Sequence, residues 1–169
     1  REAEELLRYY EIHGEMLIKN GLCYPPHEVK YEQSIVAPAV NYLFQLYELT
    51  GKILYLEEGK KQLAVLVLFN GHQPDFHMYE NAVRHWDGYW FGKYKNLGDT
   101  FPHYWSSLSG VAFREYEKIT GERSYGVKAE NSLRGVLSMI NSDGSASCAY
   151  VYPFMVNNVR CQYADPWAN

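Results

Sequence analysis

The feature that most constrains this chain is an internal repeat. Leu49-Thr50-Gly51 recurs as Ile119-Thr120-Gly121, an offset of 70 residues. The same offset, with no gap, maps Tyr55 onto Tyr125, Gly59 onto Ala129, Leu63 onto Leu133 and Leu66-Val67 onto Val136-Leu137. It also sets Leu43 against Phe113 and Tyr31 against Phe101. Apolar positions spaced this way fall on one face of a helix. Thr-Gly between two such runs reads as a helix end, because glycine takes the left-handed conformation without a steric penalty. Each copy therefore predicts two helices joined by a turn so short that they must be antiparallel neighbours. Such a hairpin cannot bury its apolar face alone, so copies must pack side by side. The expectation is a single all-α domain over residues 1–169, built from antiparallel helical hairpins.

Read in order, the chain predicts helices at residues 2–19, 34–50 and 53–69, a fourth from His103 or Tyr104 to Gly121, and a fifth at 124–140. Asn20-Gly21 closes the first, and Pro38 is tolerated only in the first turn of the second. Pro25-Pro26 makes residues 22–30 a loop, and Asn141-Ser142-Asp143-Gly144 ends the fifth helix. In the tail, residues 149–151 read as a short strand and 154–159 as a helix turn. The two inserts between hairpins, 21–33 and 71–103, are expected at the same end of the array, where they share one rim.

The second insert carries the unusual chemistry. Between Asn70 and Trp105 lie His72, His77, His85 and His103, three of the four tryptophans, and Asp75, Glu80, Asp87 and Asp99. Flat aromatic faces beside proton-transferring groups suit a sugar-handling site. Asp87 sits between Trp86 and the Tyr89-Trp90 pair; aromatic walls raise a carboxyl pKa, as a general acid requires. Its plainer reading is an Asp-Gly turn. Asp99 and Asp143 are candidate second carboxylates, although each also reads as a cap or turn residue. Glycoside hydrolysis usually takes two such groups. Glu32 lies on the equivalent rim and either reaches into the site or caps the second helix. His103 is placed to neutralise or protonate a uronate, and Tyr104 to act as base or acid in an elimination; capping with ring packing is the structural alternative. Arg84 and Lys93 are candidate ligands for a sugar carboxylate. Trp86, Tyr89, Trp90 and Trp105, with His72 and His77, complete the candidate substrate-binding set.

Several classes are disfavoured. The net charge is −4 and no basic run occurs, which argues against nucleic acid. The longest apolar run, Leu63 to Phe69, is too short to span a bilayer. His72, Asp75, His77 and Glu80 are metal-ligand types, but their spacing closes no known motif, so no metal is expected. Cys23, Cys148 and Cys161 form neither a metal spacing nor an even disulfide set. No phosphate-cradling loop or nucleophile elbow is present, and no cofactor is expected.

The unit formed by a helix, Leu-Thr-Gly and Tyr55-Leu56-Glu57-Glu58-Gly59-Lys60-Lys61-Gln62-Leu63 resembles the repeat of six-hairpin (α/α) toroid enzymes of carbohydrate metabolism; residues 46–63 and 116–133 carry the likeness. Trp86-Asp87-Gly88-Tyr89-Trp90-Phe91-Gly92 is loosely similar to the D-G-x-x-M-G stretch of the unsaturated glucuronyl hydrolases in that superfamily. The resemblance implies part of an (α/α) toroid with long aromatic-rich loops on one rim, sugar bound at that mouth, and Asp87 as general acid/base. A full toroid is longer than this chain, so the resemblance implies a fragment of a larger enzyme, or an arc completed by a second chain. The expected function is a glycoside hydrolase acting on acidic, uronate-containing oligosaccharides or polysaccharides, with Asp99 or Asp143 as partner to Asp87. The alternative is a polysaccharide lyase using His103 and Tyr104. A third reading is a non-catalytic helical-repeat binding module; the 70-residue period and the aromatic insert speak against it.

Overall fold

A computed structural model describes residues 2–20, 33–69, 99–146, 149–152, 155–156 and 159–160. Its helices are α1 (Glu2–Asn20), α2 (Gln33–Thr50), α3 (Ile53–Phe69), α4 (Ser106–Thr120) and α5 (Arg123–Leu137). Four short strands accompany them: β1 (Asp99–His103), β2 (Ala149–Tyr152), β3 (Met155–Val156) and β4 (Val159–Arg160). The α2/α3 and α4/α5 pairs are antiparallel hairpins that form an all-α core, and this arrangement fits an arc of an (α/α) toroid.

The repeat is reproduced atom by atom at the two turns. Gly51 and Gly121 have φ of 67° and 76°, the left-handed region that favours glycine. The Gly51 N–H donates to the Tyr47 carbonyl at 2.8 Å, and the Gly121 N–H to the Glu117 carbonyl at 2.7 Å. Thr50 Oγ1 donates to Leu46 O at 2.6 Å and Thr120 Oγ1 to Tyr116 O at 2.7 Å. Each threonine oxygen then accepts the N–H two residues on, from Lys52 and from Glu122, at 3.2 Å in both copies. The hydroxyl thus ties the last turn of one helix to the entry of the next. The glycine after it lets the chain reverse.

Burial follows the repeat as well. Val36, Ala37, Val40, Phe44, Leu63 and Leu66 of the first hairpin form one cluster with Ala112, Phe113, Tyr116 and Ala129 of the second. Tyr116 is the joint: its ring lies 5.7 Å from Phe44 and 4.6 Å from Tyr125, with the Lys60 ammonium 5.7 Å from its centroid. Near the turns, Lys118 Nζ meets Glu48 Oε1 at 2.8 Å, linking the same position of the two copies. Neighbouring hairpins therefore run the same way, with both Thr-Gly turns at one end. Helix α1 packs on the first hairpin through Leu43, Leu46 and Tyr55, joined by Ile18. Gly14 permits this approach, since a Cβ there would stand 2.3 Å from Leu46 Cδ1 and 3.2 Å from Tyr55 Cε1. Lys52 also pairs with Glu11 across this junction.

One mismatch in the repeat has a packing cause. A Cβ at Gly59 would stand 2.6 Å from Phe44 Cε1, a buried ring with nowhere to go. Its counterpart Ala129 is fully buried without conflict, because the residue equivalent to Phe44 is the exposed Arg114.

Pro38 is the sixth residue of α2, beyond the first turn to which the sequence reading confines it, and three further features differ from expectation. Helix α4 starts at Ser106, not at His103 or Tyr104, because residues 99–103 pair antiparallel with β2. The register sets Asp99 opposite Tyr152, Thr100 opposite Val151 and His103 opposite Ala149, with an irregularity between Thr100 and His103. Pro102 lies in that irregularity, the place where a residue without an N–H costs the ladder least. Helix α5 ends at Leu137 instead of residue 140, since Ile140 bridges to Ala146 across a tight turn. The expected helix turn at 154–159 is instead a strand pair, Met155 opposite Arg160 and Val156 opposite Val159. Asn157-Asn158 between two β-branched residues is a hairpin signal that the helix reading overlooked. The strand expected at 149–151 is β2, one residue longer. Among the described residues, no helix is long and apolar enough to cross a membrane.

Candidate functional site

The hairpins open at the end opposite their Thr-Gly turns. There α2 and α4 begin and α3 and α5 end. Strand β1 runs directly into α4 at this end and also touches α5, whose C-terminal turn follows. The fold therefore brings Asp99, His103, Tyr104, Trp105 and the Asp143 turn to one edge, although they span 45 positions of sequence from first to last.

Tyr104 is held by the first turn of α4. Its carbonyl accepts the Ser107 N–H at 3.0 Å and the Ser107 hydroxyl at 2.7 Å. Its side chain remains 46% exposed. The Trp105 ring meets it edge-on, with centroids 5.9 Å apart at 65°. Trp105 is only 7% exposed, so most of its indole is already covered. Asp99 and His103 are fixed by the register of β1, at opposite ends of the strand. Sequence reasoning missed Tyr152, which the ladder sets directly opposite Asp99. The alternating Tyr150-Val151-Tyr152 run was the available signal.

Asp143 sits in the exposed turn after α5. Its Oδ1 accepts the Ser145 hydroxyl at 2.6 Å and the Ser145 N–H at 2.9 Å. These bonds, the hydroxyl foremost, hold its pKa below the ordinary carboxylate value. Gly144, at φ 84°, completes the turn. A general acid needs a raised pKa, so this shift suits an acceptor. Ser145→Ala is expected to move the Asp143 pKa up toward the ordinary value, read by NMR titration of its side-chain carboxyl. The sign follows from linkage: the contact stabilises the ionised form, so its contribution is full at neutral pH and fades as pH falls through the folded-state pKa.

A second aromatic group joins α1 to α2. Tyr10 and Tyr42 stack at 5.4 Å and 11°, the Tyr42 hydroxyl donates to Tyr10 O at 2.9 Å, and His13 meets Tyr42 edge-on at 4.9 Å. Burial, with Tyr10 and Tyr55 nearby, raises the Tyr42 pKa.

The remaining candidates, Glu32, His72, His77, Arg84, Trp86, Asp87, Tyr89, Trp90 and Lys93, lie outside the described residues, as do Asp75 and Glu80. Among the described residues no group of three or more His, Cys, Asp or Glu side chains can hold a metal.

No family model matches the chain, and no curated protein matches it. A solved structure, polysaccharide lyase BACCELL_00875, does: it is 48% identical over 96% of this chain, with a TM-score of 0.76. The chain spans about a quarter of that structure's length, covering 24% of it. What the chain is similar to is thus one helical portion of a longer polysaccharide lyase.

Proposed function

We propose that these residues form the helical-hairpin portion of a polysaccharide lyase acting on uronate-containing chains. The observation that carries this reading is the 48% identity to a polysaccharide lyase across 96% of the chain. It moves the preference from hydrolysis by an Asp87 pair to elimination, and it gives no support to the narrower likeness to unsaturated glucuronyl hydrolases.

In an elimination, a base takes the proton from the carbon that bears the sugar carboxylate. The electron pair left behind forms a double bond to the neighbouring ring carbon. The bond from that carbon to the glycosidic oxygen breaks, and the departing oxygen takes up a proton. Two needs follow: a base–acid pair at the bond, and positive or hydrogen-bonding groups to hold the carboxylate while charge builds on it. His103 and Tyr104 are adjacent at the strand-to-helix junction and are assigned the proton transfers, with Tyr104 exposed toward solvent. Arg84 and Lys93 are assigned to the carboxylate. Trp86, Tyr89 and Trp90 are assigned as stacking surfaces for pyranose faces.

The whole protein's substrate is therefore an acidic polysaccharide, and residues 1–169 act as one unit within a larger ring. Incubating the full-length protein with uronate polysaccharides should raise ultraviolet absorbance as unsaturated uronate ends accumulate. New reducing ends without that absorbance would favour hydrolysis by the Asp87 pair.

A further inference from the structure

We infer that Asp99 and Tyr152 hold the sugar chain and take no part in proton transfer, because a β-bulge parts them from His103 onto opposite faces of the β1–β2 ribbon. This deepens the lyase reading above and rests on it.

The ladder itself sorts the residues. Directly opposed residues of an antiparallel pair share a face, and so do alternate residues of one strand. Asp99 opposes Tyr152 and Thr100 opposes Val151, so these two pairs lie on opposite faces. The next pair is His103 with Ala149. Phe101 and Pro102 on β1 therefore meet only Tyr150 on β2, the two-against-one count that defines a bulge. Simple alternation along β1 would have put Asp99, Phe101 and His103 together. With the extra residue, His103 falls with Thr100, Ala149 and Val151 instead. Asp99 stays with Tyr150 and Tyr152.

The two faces differ in chemistry. One carries a carboxylate and two tyrosines, and the other carries the histidine among threonine, alanine and valine. A carboxylate accepts hydrogen bonds from sugar hydroxyls, a tyrosine ring covers a pyranose face, and its hydroxyl can orient the carboxylate. None of these tasks requires Asp99 to reach the imidazole. The two pairs stand three residues apart along β2, about 10 Å at ~3.3 Å per residue. The ribbon leads into α4 and touches α5, at the open end where the substrate is assigned.

The test is steady-state kinetics of the full-length protein. Hyaluronan, alginate and polygalacturonate are screened, and the polymer cleaved fastest is used throughout. Rates are followed as new reducing ends, which elimination and hydrolysis both release. Asp99→Asn should raise KM about tenfold, the effect of losing charge-assisted hydrogen bonds, and leave kcat within about threefold. Tyr152→Phe should move the same way by less, and the double variant should be little worse than Asp99→Asn alone. The pH profile of kcat should match the parent's, since the charge removed lies beyond the screening length from the imidazole. A collapse of kcat in either single variant, or a shifted pH profile, would overturn the proposal. So would an unchanged KM with a lowered Tm, the mark of a merely structural strand pair. Unsaturated ends, read separately by absorbance, decide the lyase assignment, so the two failures are told apart.

Discussion

Tyr104→Phe is expected to lower turnover of a uronate polysaccharide by about 100- to 10,000-fold, the range for loss of a positioned proton-transfer group. The substitution removes one oxygen and leaves the ring. The backbone carbonyl that accepts both Ser107 donors is untouched, so the first turn of α4 keeps its anchor. The edge contact with the Trp105 ring is also retained. Folding should therefore survive, and KM should change far less than kcat, since a proton-transfer group acts mainly in the transition state. His103→Ala belongs to the same series. If His103 and Tyr104 serve one step, the double variant should lose little more than the worse single one. Unchanged kcat in Tyr104→Phe would mean that elimination runs through another base, with Tyr152 next to be tested for its place opposite Asp99.

The second large effect is on stability. Phe113→Ala should cost about 3–5 kcal/mol, the usual range for emptying a buried aromatic site. Phe113 is fully buried, sits where the two hairpins share a cluster, and lies 5.9 Å from the Tyr125 ring. Its counterpart Leu43 is also fully buried, so neither copy has slack at this level. For a domain of this size the loss should lower Tm by about 6–20 °C. Val127→Ala, at a side chain 58% exposed, should stay within about 0.5 kcal/mol of the parent. Calorimetry on both variants checks the pair. A small effect at Phe113 would mean that the two hairpins do not share one core.

The helical part of the fold was legible because its signals are local and repeated. Thr50-Gly51 and Thr120-Gly121 announce the turns, and the apolar spacing around Val40, Leu63, Phe113 and Ala129 announces the shared core. Where pairing is non-local, the sequence misled. His103 and Tyr104 follow a proline and look like a helix start, yet β1 is fixed by a partner 46 residues further on, at Ala149. Residues 155–160 pair locally, but their apolar residues suit a helix turn or a strand equally well.

The candidate site could be read from the sequence only as a set of residue types. Histidine, tyrosine and carboxylates beside indoles pointed to sugar chemistry, but hydrolases and lyases use the same residue types, and residue type does not encode the reaction. Asp143 is the opposite case: its turn reading was available in Asn-Ser-Asp-Gly, and the structure adds that the Ser145 hydroxyl joins the backbone N–H in lowering its pKa. Tyr10, His13 and Tyr42 went unnoticed because their contact depends on how α1 lies against α2.

The most direct measurement is cleavage of a uronate polysaccharide by the full-length protein in water enriched in heavy oxygen, with the products weighed by mass spectrometry. Elimination adds no water, so the fragments should carry an unsaturated uronate end and no label. Saturated fragments with one labelled oxygen at each newly made reducing end would show hydrolysis and contradict the lyase assignment.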